Sequence, residues 1–175
     1  YAKAYSTFED AFAPEVNGII PNTDIFAPEA WHIQHDAKNI VVAVVDQGID
    51  IDHPDLKNNI WVNPGEIEGD GEDNDNNGFK DDINGWSFNY GGKKGSNDPR
   101  PFTPNHAHGT HVAGTIGAEG NNKIGISGVA WKTQIMPVNI GTKSVDGLDK
   151  VTNGIKYAVE NDADIINLSF GTSLK

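Results

Sequence analysis

The chain has 175 residues, a formal net charge of −12, no Cys and one Met. At roughly 100–200 residues per domain this is one domain with room for a real core, and hydrophobic residues at 37% exclude a disordered chain. The charge argues against a nucleic-acid binder, which needs clustered Lys and Arg. No apolar run approaches the roughly 18–20 residues of a membrane helix, and the absence of Cys removes disulfide and thiolate chemistry.

Residues 1–30 carry Pro14, Pro21 and Pro28 and read as an extended arm laid over a larger body, with one short helix expected over Ala27–His35. Ile40 to Val45 is a β-branched run closed by Asp46-Gln47-Gly48, the pattern of a strand covered on both faces in a parallel sheet. Ligand sites in such sheets lie beyond the carboxyl ends of strands, which singles out Asp46. Residues 63–90 are polar, Gly-rich and acidic; Asp70, Glu72, Asp73, Asp75, Asp81 and Asp82 would repel one another without a counter-charge. A Gly- and Pro-rich stretch from Gly91 leads to His106-Ala107-His108-Gly109-Thr110-His111-Val112-Ala113-Gly114, whose small residues suit a helix packed close to another backbone. Val129–Asn139 is a strand candidate. Leu148, Val151, Ile155, Ala158 and Val159 mark an amphipathic helix over Gly147–Asn161, and Asp164–Ser169 is a further strand. Strand, helix and strand in alternation define the α/β class.

Asp46 and His108 are the residue types of an orienter and a base. A buried carboxylate holding one imidazole nitrogen fixes the tautomer and stabilises the imidazolium formed when the other nitrogen takes a proton. Val44-Val45-Asp46-Gln47-Gly48-Ile49-Asp50, His53-Pro54-Asp55-Leu56, His108-Gly109-Thr110-His111-Val112-Ala113-Gly114 and Ile166-Asn167-Leu168-Ser169-Phe170-Gly171 together resemble the subtilisin-like serine proteases. The resemblance implies a subtilisin-like parallel sheet with helices on both faces, incomplete in this chain. Residues 31–175 would be the N-terminal portion of the catalytic domain, Asp46 and His108 triad members, and His111 structural. Gln47 departs from the family's usual Ser or Thr. The Asp, His, Ser order is the one known for this family.

The family's nucleophile lies in a Gly-Thr-Ser-x-Ala type motif that follows the oxyanion-hole Asn. Gly171-Thr172-Ser173 mimics its first letters, but Asn167 to Gly171 already matches an earlier landmark. The expectation is therefore a serine endopeptidase in which this chain supplies Asp and His. A C-terminal fragment of the same precursor, left bound after a single cut, would supply the Ser and the oxyanion-hole Asn. Two alternatives stand beside it. One is a catalytically inactive relative kept as a calcium-stabilised peptide-binding module; the other is a metal hydrolase using His106, His108 and His111.

By the same resemblance, Ser144, Val145, Asp146 and Gly147, together with Ser169, Phe170 and Gly171, would flank an extended protein or peptide substrate as added strands. Within the insert, Asp73, Asp75 and Asn77, Gly78 at the turn, Phe79 at the main-chain position and Asp81 reproduce the first nine positions of an EF-hand-type loop. Asn84 stands where that loop has its closing Glu, so Asp82 is expected to complete a Ca2+ site. A second calcium site at Asp55 and Gly120-Asn121-Asn122 is implied by resemblance alone. The expected location is extracellular or periplasmic.

Overall fold

The computed structural model describes residues 24–89, 95–103, 105–141 and 147–171. The expected arm up to residue 23, and Ser144, Val145 and Asp146, lie outside the described residues.

Four parallel strands, β1 (Asp36–Asp46), β2 (Trp86–Ser87), β3 (Lys132–Asn139) and β4 (Ile165–Asn167), form one sheet in the order β2-β3-β1-β4. Because successive side chains of a strand point to opposite faces, β1 feeds two cores. Val42 and Val44 pack with Ala113, Ala118 and Ile135, whereas Ala43 and Val45 pack with Met136, Val138, Tyr157 and Ala158. Helix α2 (His108–Gly117) therefore covers one face and α3 (Gly147–Glu160) the other, the α/β arrangement with helices on both faces.

The short helix α1 spans Ala27–Trp31, with Pro28 in its first turn. It stops before His35 because the chain there has joined the sheet's margin: the His35 carbonyl accepts the Trp131 N–H at 2.9 Å. Strand β1 starts at Asp36, ahead of the β-branched run, because Asp36 pairs with Lys132 before the register shifts and resumes at Val41. Strand β3 begins later than Val129 because the Val129 and Ala130 amides donate to the Thr115 and Ile116 carbonyls, closing the end of α2 instead of extending the ladder. Strand β2 is only two residues of buried Trp86 and Ser87, too short to leave a periodic pattern.

The small residues of α2 do what their size predicts. A Cβ on Gly117 would lie 2.5 Å from Thr133 Cγ2, and one on Gly109 would lie 2.4 Å from the Gly48 carbonyl oxygen. Helix α3 differs from the expected stripe. Tyr157 and Ala158 are buried and Gly154 sits against Val45, Val138 and Ile140, but Leu148 and Val159 face solvent at 83% and 61% exposure. The close approach at Gly154 turns that side of the helix inward and carries the two larger residues out. Among the described residues strand β4 pairs with β1 alone, and Ile165, Leu168 and Phe170 at this margin are substantially exposed.

Candidate active site

Asp46 closes β1 at the carboxyl end of the sheet and is 2% exposed. Its Oδ1 accepts the Gln47 N–H at 2.7 Å. Position 47 thus supports the carboxylate through its main-chain N–H, which any residue but proline supplies. Gly48, with φ of 100°, turns the chain away so tightly that Asn139 and the Pro99–Arg100 peptide would meet any Cβ there.

His108 opens α2, and its neighbour Gly109 lets the helix settle against this turn. His108 Nδ1 stands 2.9 Å from Asp46 Oδ1 and 2.9 Å from Oδ2. A carboxylate only accepts, so Nδ1 carries the hydrogen and the neutral ring keeps its lone pair on Nε2. The His108 side chain is 49% exposed against 2% for Asp46: a buried anion orients a ring whose far edge reaches solvent. Thr110 Oγ1 accepts the Asp50 N–H at 3.0 Å, a second tie between α2 and the chain after Asp46. His111, one turn along, borders a groove of about 690 Å3 between α2 and the segment at Arg100 and Phe102. His106, His108 and His111 do not converge into a metal-ligand group.

Ser169, Phe170 and Gly171 follow β4, whose Asn167 lies opposite Val44, so they leave the sheet at the same end as Asp46. Asn167 Nδ2 donates to Ser169 Oγ at 2.8 Å, Phe170 is exposed, and, among the described residues other than its chain neighbours, none has an atom within 4 Å of a Cβ placed on Gly171. Gly147 is the first residue of α3.

The acidic insert does not gather all its predicted ligands at one point. Carboxylate oxygens of Asp73 and Asp75 lie within 4.8 Å of each other and of Glu66, a residue that the loop pattern does not include. Glu66 also organises the turn by accepting the Asn74 and Asp81 N–H groups at 2.7 and 2.8 Å. Asp81 takes a positive φ of 52° and accepts the Gly69 and Gly71 amides at 2.8 and 3.0 Å. Asp82 is fully buried and accepts from Tyr157 Oη at 2.6 Å, Asn63 Nδ2 at 3.0 Å and Asn77 Nδ2 at 3.2 Å. Burial pushes the Asp82 carboxyl above the ordinary carboxylate value, while these three donors pull it back and the charge of Asp75 adds to the rise. Burial and the Asp82 charge together push the Tyr157 hydroxyl far above its ordinary value. Phe79 sends its ring into the core, edge-on to Trp86 and Tyr157 with centroids 5.0 Å apart in each case. Three carboxylates this close repel by about 1 kcal/mol per pair even in water, and hard oxygens of this kind suit calcium. Asp55, the other candidate calcium residue, is 3% exposed and accepts from Asn122 Nδ2 at 2.7 Å and the Ile126 N–H at 2.9 Å.

A buried carboxylate grips a histidine where the strands of a doubly covered parallel sheet end, a geometry in which the ring's far nitrogen can accept a proton. The subtilase family pattern matches residues 37–175, and the chain belongs to that family. It is 42% identical over 131 residues to subtilisin-like protease 1 of Plasmodium berghei, an alignment covering 74% of this chain and 21% of that protein. It is 40% identical over 149 residues to the major intracellular serine protease of Bacillus subtilis, covering 84% of this chain and 39% of the relative. Among solved structures, the Aeromonas sobria serine protease in complex with its chaperone superposes with a TM-score of 0.54 at 27% identity, over 82% of this chain and 20% of that one. The chain thus spans about a fifth to two-fifths of the length of these proteins.

Proposed function

We propose that this segment supplies the orienter and the base of a serine endopeptidase. The two 2.9 Å contacts from His108 Nδ1 to Asp46 are the observation that carries the reading. His108 Nε2 takes the proton of a serine hydroxyl as the oxygen attacks a peptide carbonyl, then passes it to the leaving amine. Water, deprotonated by the same nitrogen, releases the acyl group and regenerates the serine. Asp46 holds the ring in place and stabilises the imidazolium. The serine and the oxyanion-hole Asn belong to the C-terminal part of the same precursor, docked along β4 and the residues after it, where exposed Ile165, Leu168 and Phe170 support that placement. Protein or peptide substrates lie as an added strand between residues 144–147 and 169–171.

Calcium is the proposed cofactor of the insert. Glu66, Asp73 and Asp75 would hold it, and bound there it neutralises their repulsion, with Asn77 and Phe79 on the same turn. Asp81 and Asp82 serve instead to fix the turn and to anchor it on α3. A half-buried site with few protein ligands fills best at the millimolar calcium found outside cells, which supports an extracellular or periplasmic location. Among the described residues no helix is long and apolar enough to cross a membrane. Cell fractionation tests this location, and recovery with the cytosol would refute it, as the name of the Bacillus subtilis relative makes a fair contest.

A serine-reactive phosphonate, applied to the native full-length protein, tests the function. Labelling of a serine outside residues 1–175, abolished by His108→Ala, is expected. A folded protein that takes no label but binds peptides is instead an inactive, calcium-stabilised binding module.

A further inference from the structure

Helix α2 begins at His108, and the first turn is where a helix is least secure, because its N–H groups have no helical partners. Among the described residues no side chain caps this turn; Ala107 stands at the cap with φ of −82°. Any loosening of the turn therefore moves the imidazole first.

Threonines inside helices often turn the hydroxyl back on the preceding turn, as Thr115 and Thr152 do by donating to the His111 and Leu148 carbonyls at 3.0 and 2.9 Å. Thr110 does otherwise. Its Oγ1 accepts the main-chain N–H of Asp50 at 3.0 Å, a bond to chain 60 positions away. Asp50 is a fixed post, since the preceding Ile49 is fully buried and donates its own N–H to the Pro99 carbonyl at 3.2 Å.

Thr110 follows His108 by two residues, and Asp50 follows Asp46 by four. The Thr110–Asp50 bond and the His108–Asp46 contacts are thus two rungs between the same two pieces of chain, with Gly109 pressed against Gly48 between them. The Asp46 rung changes character when the ring gains or loses a proton. The Thr110 rung carries no charge and is the same in both states, so it holds the helix end still while the other changes.

We infer that Thr110 is a positioning residue for the base, fixing the first turn of α2 so that His108 keeps Nδ1 on Asp46 and Nε2 aimed at the serine. The inference rests on the protease reading. Thr110 itself takes no part in proton transfer.

The test uses the full-length protein and two variants: Thr110→Val, which keeps the side chain's shape and removes the acceptor, and Thr110→Ser, which keeps the oxygen. Thr110→Ala takes the place of the valine variant should that one fail to fold. Per folded molecule, Thr110→Val should lose about ten- to a hundredfold in kcat on a short N-acetyl amino-acid ester, the scale of a displacement of up to about 1 Å at a reacting group, with KM within about twofold. Thr110→Ser should recover most of kcat. A threonine that serves stability alone would lower the melting temperature and leave kcat per folded molecule unchanged; that result, or a serine variant no better than valine, overturns the role given to Thr110. A second readout needs no turnover. The proton on His108 Nδ1, held to a carboxylate, gives a low-field proton NMR signal, identified by its absence in His108→Ala. It should be sharp in the wild type and in Thr110→Ser and broadened away by exchange with water in Thr110→Val. Its persistence in Thr110→Val, or its absence from the wild type, overturns the inference. If the wild-type protein hydrolyses no ester, the protease reading fails by itself, and the signal alone then decides about Thr110: loss in Thr110→Val upholds the positioning role.

Discussion

Replacing Tyr157 by Phe removes one oxygen from the most buried polar contact of the insert. The hydroxyl donates to Asp82 Oδ2 at 2.6 Å, and neither side chain is exposed. Phe keeps the ring and its edge-on contact with Phe79, so packing changes little and the effect isolates the hydrogen bond. A bond to a charged acceptor contributes about 1.5–3 kcal/mol, and Asp82 would keep only the Asn63 and Asn77 amides. A loss near 2 kcal/mol lowers the melting temperature by about 4–8 °C in a domain of this size. The effect also depends on pH. Asp82 already titrates above its ordinary value because it is buried, and the Tyr157 hydroxyl holds that rise down. A folded pKa above the unfolded one adds stability that is full below the unfolded value of 3.8 and is lost as pH rises through the folded value. Removing the donor raises the folded value further, so the variant's deficit is greatest at neutral pH and shrinks as acid protonates Asp82. Urea melts of the wild type and Tyr157→Phe, from neutral to acid pH, measure this. Equal stability at neutral pH, or a deficit that pH leaves unaltered, refutes the reasoning.

Asp46→Asn should cut turnover of the full-length protein by about 10⁴-fold with folding intact, since the wrong imidazole tautomer then faces the serine; steady-state kinetics and a circular-dichroism melt together check it. Gly109→Ala would place a methyl 2.4 Å from the Gly48 carbonyl oxygen, a main-chain atom, and 3.2 Å from Oδ1 of the buried Asp46 side chain. It should cost about 3 kcal/mol or more and depress activity beyond its folded fraction, which parallel denaturation and activity assays will show. EDTA should lower the melting temperature, calcium should restore it and magnesium should not. Asp73→Asn combined with Asp75→Asn should abolish that response, and a melt indifferent to EDTA in the wild type removes the proposed ion.

Much of the fold was legible because its signals are local. The β-branched run before Asp46 announces a doubly covered strand, and the small residues after His108 announce a close-packed helix. What was not legible depends on distant partners. Glu66 lies seven residues before Asp73 and joins it only because the turn folds back, and Asp82 serves Tyr157 on a helix 75 positions later. Leu148 and Val159 fit a helical stripe by spacing yet face solvent, because the inward side of α3 is chosen by the lack of a side chain at Gly154. Asn139 closes a strand by its pattern, yet its buried side chain bonds the Arg100 carbonyl and the Gly141 amide, contacts that no spacing in the chain encodes.

The division of β1 between two cores makes Asp46 hostage to parity. Val42, Val44 and Asp46 share the side on which α2 lies, and a Cβ on Gly109 would come within 3.1 Å of Asp46 Cβ. Removing a single residue between Val42 and Val45 would rotate the carboxylate through the sheet toward Tyr157 and leave His108 with nothing to steer it. Length changes in this strand are therefore tolerable only in pairs, a rule that a series of one- and two-residue deletions would expose as alternating dead and live proteins.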